Sequence, residues 1–232
     1  MRDILFLDNN IPIGFCFRQD PQHDFVVKIF NHNCEIKWSN NVLYEFKKVY
    51  KRKRNAFDDW IYNLIIELNN TKNVMTELQL VDIASKLRIK GFNQIVCFKL
   101  IKLLWKESSL NSSEHSKNIL ESIKNFKLSF NKGLSKSYSI CIKKLNPPFE
   151  RKNHYPLIAK QLKNKIDGYD DLTKLGSDMN ICLDAHEMGK QINSLKFLTD
   201  DEKIINHKID IQSITKIKKV ISLKEYVLLA NL

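Results

Sequence analysis

Short apolar runs near both ends of the chain have the length and pattern of β-strands. Ile4–Leu7 is an uninterrupted apolar run followed by turn-forming residues, and residues 34–38 alternate between polar and apolar positions. Further strands are predicted at residues 194–199 and 220–223, near the C-terminus. Because these strands alternate with helical patterns, the sequence predicts an α/β fold with a parallel sheet.

The middle of the chain has the period of α-helices instead. Apolar residues recur every three or four positions after Ser39, which has the character of a helix N-cap. Helices are predicted from that residue to about residue 49 and at residues 58–69, 77–90, 92–106, 114–126, 156–166 and 178–189. We therefore predict a core formed by residues 1–50 and 173–232, with a mainly helical insertion at 51–172 between its two parts.

The composition is that of a globular, basic protein. A hydrophobic content of 43% over 232 residues is enough to form a core. The five scattered cysteines form no CxxC pair, and no apolar run approaches the roughly 20 residues that span a bilayer. We therefore expect a soluble, cytoplasmic protein with no membrane partner. The formal charge of +12 favours a polyanionic partner, although a composition rich in Lys, Asn and Ile is also produced by an AT-rich genome.

Two of the predicted strands end at acidic residues. Asp8 follows the first strand directly, and Asp200 and Asp201 follow the strand at 194–199. Ligand sites of open α/β sheets lie outside the carboxyl ends of the strands. Carboxylates held close together at such an edge repel one another unless a cation or a proton neutralises them. The pattern therefore predicts a site for a hard divalent cation, Mg²⁺ or Mn²⁺.

Four segments resemble, in their order along the chain, the motifs of PIN-domain ribonucleases, a fold used by many toxins of toxin-antitoxin systems. They are ILFLDNN, SNNVLYEF, DMNICLDA and FLTDD, and the closing VISLKEY is similar to the last strand and tail of that family. The acids that these motifs align with the family's site are Asp8, Glu45, Asp178 and Asp201. The resemblance covers about the first 50 and the last 60 residues and leaves the middle of the chain unmatched.

The resemblance implies a three-layer PIN-like fold, in which helices flank a central parallel sheet, and metal-dependent hydrolysis of RNA. It implies Mg²⁺ or Mn²⁺ as the cofactor, RNA as the substrate and a protein antitoxin as a candidate partner, with a homodimer as a further candidate arrangement. The four aligned acids become the catalytic metal ligands. Two alternatives stay open: a DNA nuclease that uses the same site, and a catalytically inactive module that binds nucleic acid or protein.

Two further acids lie near the aligned ones and are additional candidate metal ligands. Asp200 precedes Asp201, and Asp184 lies on the same predicted helix as Asp178. On a helix of 3.6 residues per turn, Asp178 shares a face with the other aligned residues of its motif, whereas Asp184 is turned away by about a third of a circle. Asp178 is therefore the preferred acid of this helix. Residues 184–187 are expected on an exposed helix face.

Candidate substrate contacts lie next to these acids. Asn9 and Asn10 follow the first strand-end acid, and one of them is expected to contact substrate or metal-bound water. Ser39 and Thr199 are predicted to donate hydrogen bonds to the carboxylates or to substrate. The densest cationic run comes directly after the helix that carries Glu45. Its members that we expect to contact the phosphate backbone of RNA are Lys51, Arg52, Lys53 and Arg54. Tyr50 is predicted to stack on a base. The alternative for this run is a solvated helix end that the helix dipole favours.

Other kinds of chemistry lack support in the sequence. The six histidines have no HExxH or zinc-finger spacing. The chain has no P-loop, GxGxxG or GxSxG motif, so the sequence offers no support for nucleotide-driven motors, dinucleotide enzymes or Ser-His-Asp hydrolases. A receiver-like phosphoacceptor domain also has aspartates at strand ends, but it does not explain Glu45.

Overall fold

The computed structural model describes residues 2–71, 73–87, 89–165 and 176–232. They belong to two compact units: unit 1 comprises Met1–Val49 and Tyr138–Leu232, and unit 2 comprises Tyr50–Ser137. Unit 2 covers the first part of the predicted insertion, whereas residues 138–165 group with unit 1. The predicted junction at 172–173 lies outside the described residues.

Short strands and longer helices alternate along the chain. The strands are β1 (Ile4–Leu7), β2 (Glu35–Lys37), β3 (Val74–Thr76), β4 (Ser113–His115), β5 (Lys196–Thr199) and β6 (Lys219–Ser222). The helices are α1 (Asn10–Cys16), α2 (His23–Asn31), α3 (Asn40–Asn69), α4 (Glu77–Lys86), α5 (Gln94–Glu107), α6 (Ser116–Leu145), α7 (Pro156–Lys165), α8 (Asp178–Gln191), α9 (Glu202–Asn206), α10 (Lys208–Ile214) and α11 (Leu223–Leu229).

A parallel sheet in the order β2-β1-β5-β6 forms the centre of unit 1. Phe6 of β1 pairs with Lys37 of β2 on one side and with Phe197 of β5 on the other. Three of the four residues in each central strand are buried, because parallel strands in such folds are covered on both faces. The predicted α/β class, with a parallel sheet flanked by helices, is confirmed.

The pairing of β1 with β5 brings the two ends of the chain together at the carboxyl edge of this sheet. The backbone N–H of Asp8 donates to the carbonyl of Leu198 over 3.0 Å, so the pairing extends one residue beyond β1. Asp8 therefore lies beside Thr199, the last residue of β5. The first and last acidic motifs meet because their strands are neighbours in the sheet.

Two helices are longer than the sequence predicted. Residues 40–69 form the single helix α3, where two separate helices were expected; the segment contains no Gly or Pro to interrupt it. Helix α6 continues from the predicted end at residue 126 to Leu145, just before Pro147 and Pro148. Its buried face continues through Phe130, Leu134 and Cys141. Because polar residues lie between these positions, the helical period of this segment was not recognised in the sequence.

The structure contains a second, small sheet that the sequence did not predict. Strands β3 and β4 of unit 2 pair in antiparallel fashion and have three residues each. Runs this short carry too little alternation to stand out in a sequence.

Two buried cysteines lie close together in unit 1. The Sγ atoms of Cys16 and Cys141 are 3.9 Å apart. Within the described ranges, no helix has the length and apolar character needed to cross a membrane.

Candidate active site

Asp8 is firmly held at the carboxyl edge of the sheet. Its side chain is only 3% exposed, and the Thr199 hydroxyl donates to Oδ2 over 2.6 Å. The backbone N–H of Asn9 donates to Oδ1 over 2.6 Å, and the Asn10 side-chain amide donates to Oδ2 over 3.2 Å. These donors come from β5 and from the turn after β1, so they fix the carboxylate between the ends of the two central strands.

Burial of this carboxyl changes its protonation. It raises the pKa of Asp8 from 3.8 to about 7, while the hydrogen bonds from Thr199 and Asn9 lower the pKa and the charges of Asp178 and Asp201 raise it. Near pH 7 the Asp8 carboxyl is therefore divided between its neutral and charged forms. A cation placed beside it would favour the charged form.

Glu45 of helix α3 is a second carboxyl with a raised pKa. Burial raises its pKa from 4.5 to about 7, and the charges of Asp8 and Asp178 add to the rise. A hydrogen bond from the Asn9 side chain and the charge of Lys48 act in the opposite direction. The Oε2 atom of Glu45 is buried and has no hydrogen-bond partner among the described residues. A buried oxygen without a partner is unfavourable unless a proton or a ligand occupies the position next to it.

Electrostatic coupling links Asp8 with the three other acids that the family resemblance aligned, namely Glu45, Asp178 and Asp201. The charges of Asp178 and Asp201 raise the pKa of Asp8, and those of Asp8 and Asp178 raise the pKa of Glu45. Among the residues that the structure describes, however, no group of three or more His, Cys, Asp and Glu side chains is arranged to hold one metal ion. The structure thus brings the predicted acids into one neighbourhood without forming a closed metal site.

Gly176 sets the approach of Glu45 to the start of α8. Its φ of +75° is in the left-handed region, and a Cβ at this position would lie 3.0 Å from the Cβ of Glu45. Its backbone N–H donates to Oδ1 of Asn41 in the first turn of α3 over 3.1 Å. The side chain of Ser177 then caps α8, which begins at Asp178. A glycine at this point therefore allows the chain before Asp178 to contact the helix that carries Glu45.

Of the two adjacent acids after β5, Asp201 is the one coupled to Asp8. Its Oδ1 accepts hydrogen bonds from the first backbone N–H groups of α9, and its own N–H donates to the Thr199 hydroxyl over 3.1 Å. Asp200 faces the segment before α2: burial and the charge of Asp20 raise its pKa, and a hydrogen bond from Gln22 lowers it. Asp201 therefore caps α9 and acts on Asp8 through its charge, and the preference for it as a metal ligand stays a prediction.

Asp184 lies in a separate polar cluster. Its buried carboxylate pairs with the Arg151 guanidinium over 3.0 Å and accepts a hydrogen bond from Asn41 over 2.9 Å. Burial raises the pKa of Asp184, whereas a hydrogen bond from Ser39 is the largest effect that lowers it. These partners account for Asp184 as a buried ion pair between α8 and the segment after α6. The structure does not bring it together with Asp8.

Ser39 and Thr199, predicted as substrate contacts, are fully buried. The Ser39 hydroxyl accepts from the backbone N–H of Val42, so it caps α3, and it also bonds to Asp184. Thr199 bonds to Asp8. Each hydroxyl therefore bonds to a carboxylate, which agrees with one of the two predicted roles of these residues. Neither side chain is accessible in this structure, and direct contact with substrate stays a prediction. The side chain of Asn9 bonds to Glu45.

The expectation of an exposed helix face at residues 184–187 is also wrong, since every residue of α8 from Met179 to Gly189 is buried. Residues from distant parts of the chain form hydrogen bonds with the buried polar side chains of α8. Glu187 accepts hydrogen bonds from the backbone N–H groups of Lys152 and Asn153, and Nδ1 of His186 accepts from the N–H of Lys216. These partners are backbone groups of distant segments, so no local sequence pattern could have predicted them.

An open cleft of about 710 Å³ lies beside the strand-end acids. The residues that line it are Asn10, Asp200, Asp201, Glu202, Lys203, Asn206 and His207. Asn10 joins the cleft to the buried acid, because its side chain also contacts Asp8 and Thr199. Lys203 and His207 are not among the residues predicted from the sequence, since neither belongs to a motif or to a metal-ligand spacing. The available signal was their position in the segment that follows the strand-end acid Asp201, two residues after it for Lys203 and six for His207.

The basic run lies inside α3 and not at its end, so the helix dipole does not explain it. Lys51, Arg52 and Arg54 are exposed and Lys53 is partly exposed. The prediction that Tyr50 stacks on a base is wrong, because its side chain is only 8% exposed. These four cations belong to unit 2, whereas the acids belong to unit 1. Their contact with RNA phosphates stays a prediction.

In the comparison with known proteins, no family model, curated protein or solved structure matches this chain. The resemblance to PIN-domain ribonucleases therefore stays a prediction that depends on the motifs and on the acids they place.

Replacing Thr199 by Val should raise the pKa of Asp8 further. The substitution keeps the shape of the side chain and removes the hydroxyl whose hydrogen bond lowers this pKa. A hydrogen bond to a charged group is typically worth enough to predict a rise of roughly one pH unit. Carbon-13 NMR titration of the Asp8 carboxyl measures it. Thr215→Val is the matched control, because Thr215 is also buried but donates to the Ile211 carbonyl. An unchanged titration in the Thr199 variant would contradict the described hydrogen bond.

Proposed function

We propose that unit 1 is a metal-dependent nuclease that hydrolyses RNA phosphodiester bonds, with a PIN-like site. The observation that carries the proposal is a pair of coupled carboxyls, Asp8 and Glu45, whose pKa values of about 7 leave them incompletely charged at neutral pH. Asp8 lies at the carboxyl edge of a parallel sheet, where ligands of α/β folds bind, and Glu45 of α3 is electrostatically coupled to it. The motif order in the sequence supplies the reaction class.

The donor set suits Mg²⁺ or Mn²⁺. Carboxylate oxygens are preferred ligands of both ions, and Mg²⁺ is commonly held by only one or two carboxylates, with waters and substrate phosphates completing its coordination. The buried, unpartnered Oε2 of Glu45 fits such an ion. We therefore assign Asp8 and Glu45 as the ligands, with Asp178 and Asp201 adding negative charge around them. When bound, the cation supplies Lewis acidity toward a phosphoryl oxygen.

The surrounding residues orient these acids and admit the substrate. Thr199 and the Asn9 backbone hold the Asp8 carboxylate in one position, and the Asn9 side chain connects it to Glu45. Lys203 and His207 line the adjacent open cleft, where they can attract a phosphate group. RNA is the expected substrate and a protein antitoxin the expected partner, both from the family resemblance.

A second candidate function is a binding module without catalysis. The observation that favours it is the absence, among the described residues, of three acids arranged around one point. Such a module would bind nucleic acid or protein and would not cleave it. A DNA nuclease with the same acids is the third candidate, because the acids themselves do not distinguish the two sugars.

The test is cleavage of labelled single-stranded RNA and of single-stranded and duplex DNA by the full chain. We expect Mn²⁺-dependent cleavage of RNA that EDTA abolishes and that Asp8→Asn reduces to the level without metal. Asp24→Asn is the control, because Asp24 is an exposed acid of α2. Equal cleavage by wild type and Asp8→Asn would refute the assigned site. Cleavage of DNA alone would indicate a DNA nuclease, and binding without cleavage would indicate the inactive module.

A further inference from the structure

Unit 2 has a simple topology in which two consecutive helices lie between paired strands. Along the chain it runs from the second half of α3 through β3, α4, α5 and β4 into α6. β3 and β4 pair in antiparallel register, with Met75 opposite Glu114. The pairing closes the loop of chain that contains α4 and α5. Gly91, with a φ of +90°, lies in the connection between these two helices.

Helices α3, α4 and α5 share one core. The Trp60 indole N–H of α3 donates to the Ala84 carbonyl of α4 over 3.3 Å, and the Trp60 ring stacks on Phe92 at 5.5 Å between centroids. The Cys97 thiol of α5 donates to the same Ala84 carbonyl. Leu100 of α5 is fully buried. These contacts pack the buried side of α5 against α3 and α4.

The opposite side of α5 is exposed and cationic. Its accessible residues recur at helical spacing and are Gln94, Ile95, Phe98, Lys102 and Lys106, with Lys99 partly exposed. The Lys102 ammonium lies 5.8 Å from the centre of the Phe98 ring. The single acid of α5 is Glu107, its last residue. The face therefore combines a polar residue at the N-terminal end, two exposed apolar residues and three lysines.

Most of the net charge of the chain belongs to this unit. Tyr50–Ser137 contains 16 Lys and Arg residues and 8 Asp and Glu residues, so it contributes +8 of the total +12. Exposed apolar residues alone would not indicate the nature of a partner. Their combination with lysines on one helix of a strongly basic unit favours a polyanion with a groove.

We propose that unit 2 is a helix-turn-helix-like module that binds double-stranded DNA, with α5 in the major groove. In such modules the second helix enters the groove and its N-terminal residues contact base edges. Gln94 can pair with adenine, Ile95 and Phe98 can contact thymine methyl groups, and the lysines can contact phosphates. The major groove of an RNA duplex is too narrow for a helix. The proposal concerns a surface other than the acidic site and does not depend on nuclease activity.

The test measures binding of the full chain to a 24-base-pair DNA duplex of mixed sequence by fluorescence anisotropy, with EDTA present to prevent cleavage. The double variant Lys99→Ala/Lys102→Ala should lose at least about 10-fold in affinity and should reduce the slope of log K against log salt by about 1.8, which is 0.9 for each lost phosphate contact. Lys160→Ala/Lys163→Ala removes two exposed lysines from α7 of unit 1 and should change the affinity less than about 2-fold.

Three results would overturn the proposal. The two double variants could lose the same amount of affinity for the DNA duplex, or the wild-type protein could bind duplex RNA as tightly as duplex DNA. The third result is that the wild-type protein does not bind the DNA duplex. Phe98→Gln provides a second variant and should weaken DNA binding without altering the charge. Circular dichroism verifies that each variant is folded. Because binding is measured in EDTA, loss of the DNA contact and failure of the proposed nuclease reaction are separate outcomes.

Discussion

Asp8→Asn should make the protein more stable than wild type at pH 8, although it removes an acid of the proposed active site. The pKa of Asp8 is raised from 3.8 to about 7 in the folded state, mainly by burial. Between these pH values the folded protein binds more protons than the unfolded chain, so the free energy of unfolding falls as the pH rises. A shift of this size corresponds to about 4 kcal/mol at pH 8 and to less than about 1 kcal/mol at pH 4.

The expected gain in the free energy of unfolding of Asp8→Asn at pH 8 is roughly 1–3 kcal/mol. It is smaller than the full effect of the pKa shift because an amide replaces only part of the hydrogen bonding of the carboxylate. Oδ2 of Asp8 accepts from Thr199 and from Asn10, whereas the amide nitrogen of an asparagine donates. Urea unfolding at pH 4 and pH 8 measures the effect, with the exposed acid Asp24→Asn as the control. A variant that is destabilised equally at both pH values would contradict the assignment of a buried charge.

A bound divalent cation should raise the free energy of unfolding of the wild-type protein at pH 8, as Asp8→Asn does. An ion bound at Asp8 and Glu45 neutralises both carboxylates, and binding to the folded state alone stabilises it by about 2.7 kcal/mol at 100 times the dissociation constant. The same unfolding experiment at pH 8 with Mn²⁺ should therefore stabilise wild type and leave Asp8→Asn nearly unchanged. Equal stabilisation of both proteins would place the ion elsewhere. This measurement reports on the metal site without reference to activity.

Gly189→Ala should destabilise unit 1 severely. A Cβ at this position would lie 2.4 Å from the backbone oxygen of Lys216 and 2.8 Å from its carbonyl carbon. Backbone atoms cannot rotate away as a side chain can, so α8 or the segment before β6 must shift. We expect a loss of about 3 kcal/mol or more in the free energy of unfolding, which exceeds the gain of about 1 kcal/mol from the better helix propensity of alanine.

Gly133→Ala is the matched control, because Gly133 lies inside helix α6 and an added Cβ would have no heavy atom within 4 Å. This variant should be more stable than wild type by roughly 0.5–1 kcal/mol. Urea unfolding of the two variants measures both effects. If Gly189→Ala were as stable as wild type, the close approach of α8 to Lys216 would be incorrect. The two results together separate the steric effect from helix propensity.

The hydrophobic pattern determined the fold class, the four strands of the parallel sheet and helices α7 and α8 of unit 1, whereas the short helices α9, α10 and α11 were not predicted. Strand length, turn residues and helical period are local properties, so β1, β5, β6 and α8 could be predicted to within a few residues. The acids at the strand ends could be predicted too, since the edge at which a strand ends follows from its direction. The three-residue strands β3 and β4 could not be predicted, because their patterns are too short.

The tertiary structure decided which polar groups meet. Thr199 and Asp8 are 191 residues apart in the sequence and make a 2.6 Å hydrogen bond only because β1 and β5 are neighbours. Asp184 pairs with Arg151, and Tyr50 is buried, for the same kind of reason. The raised pKa values of Asp8 and Glu45 follow chiefly from burial. Burial depends on neighbours that are distant in the chain, so the sequence supplied the acids and the fold determined their protonation and their partners.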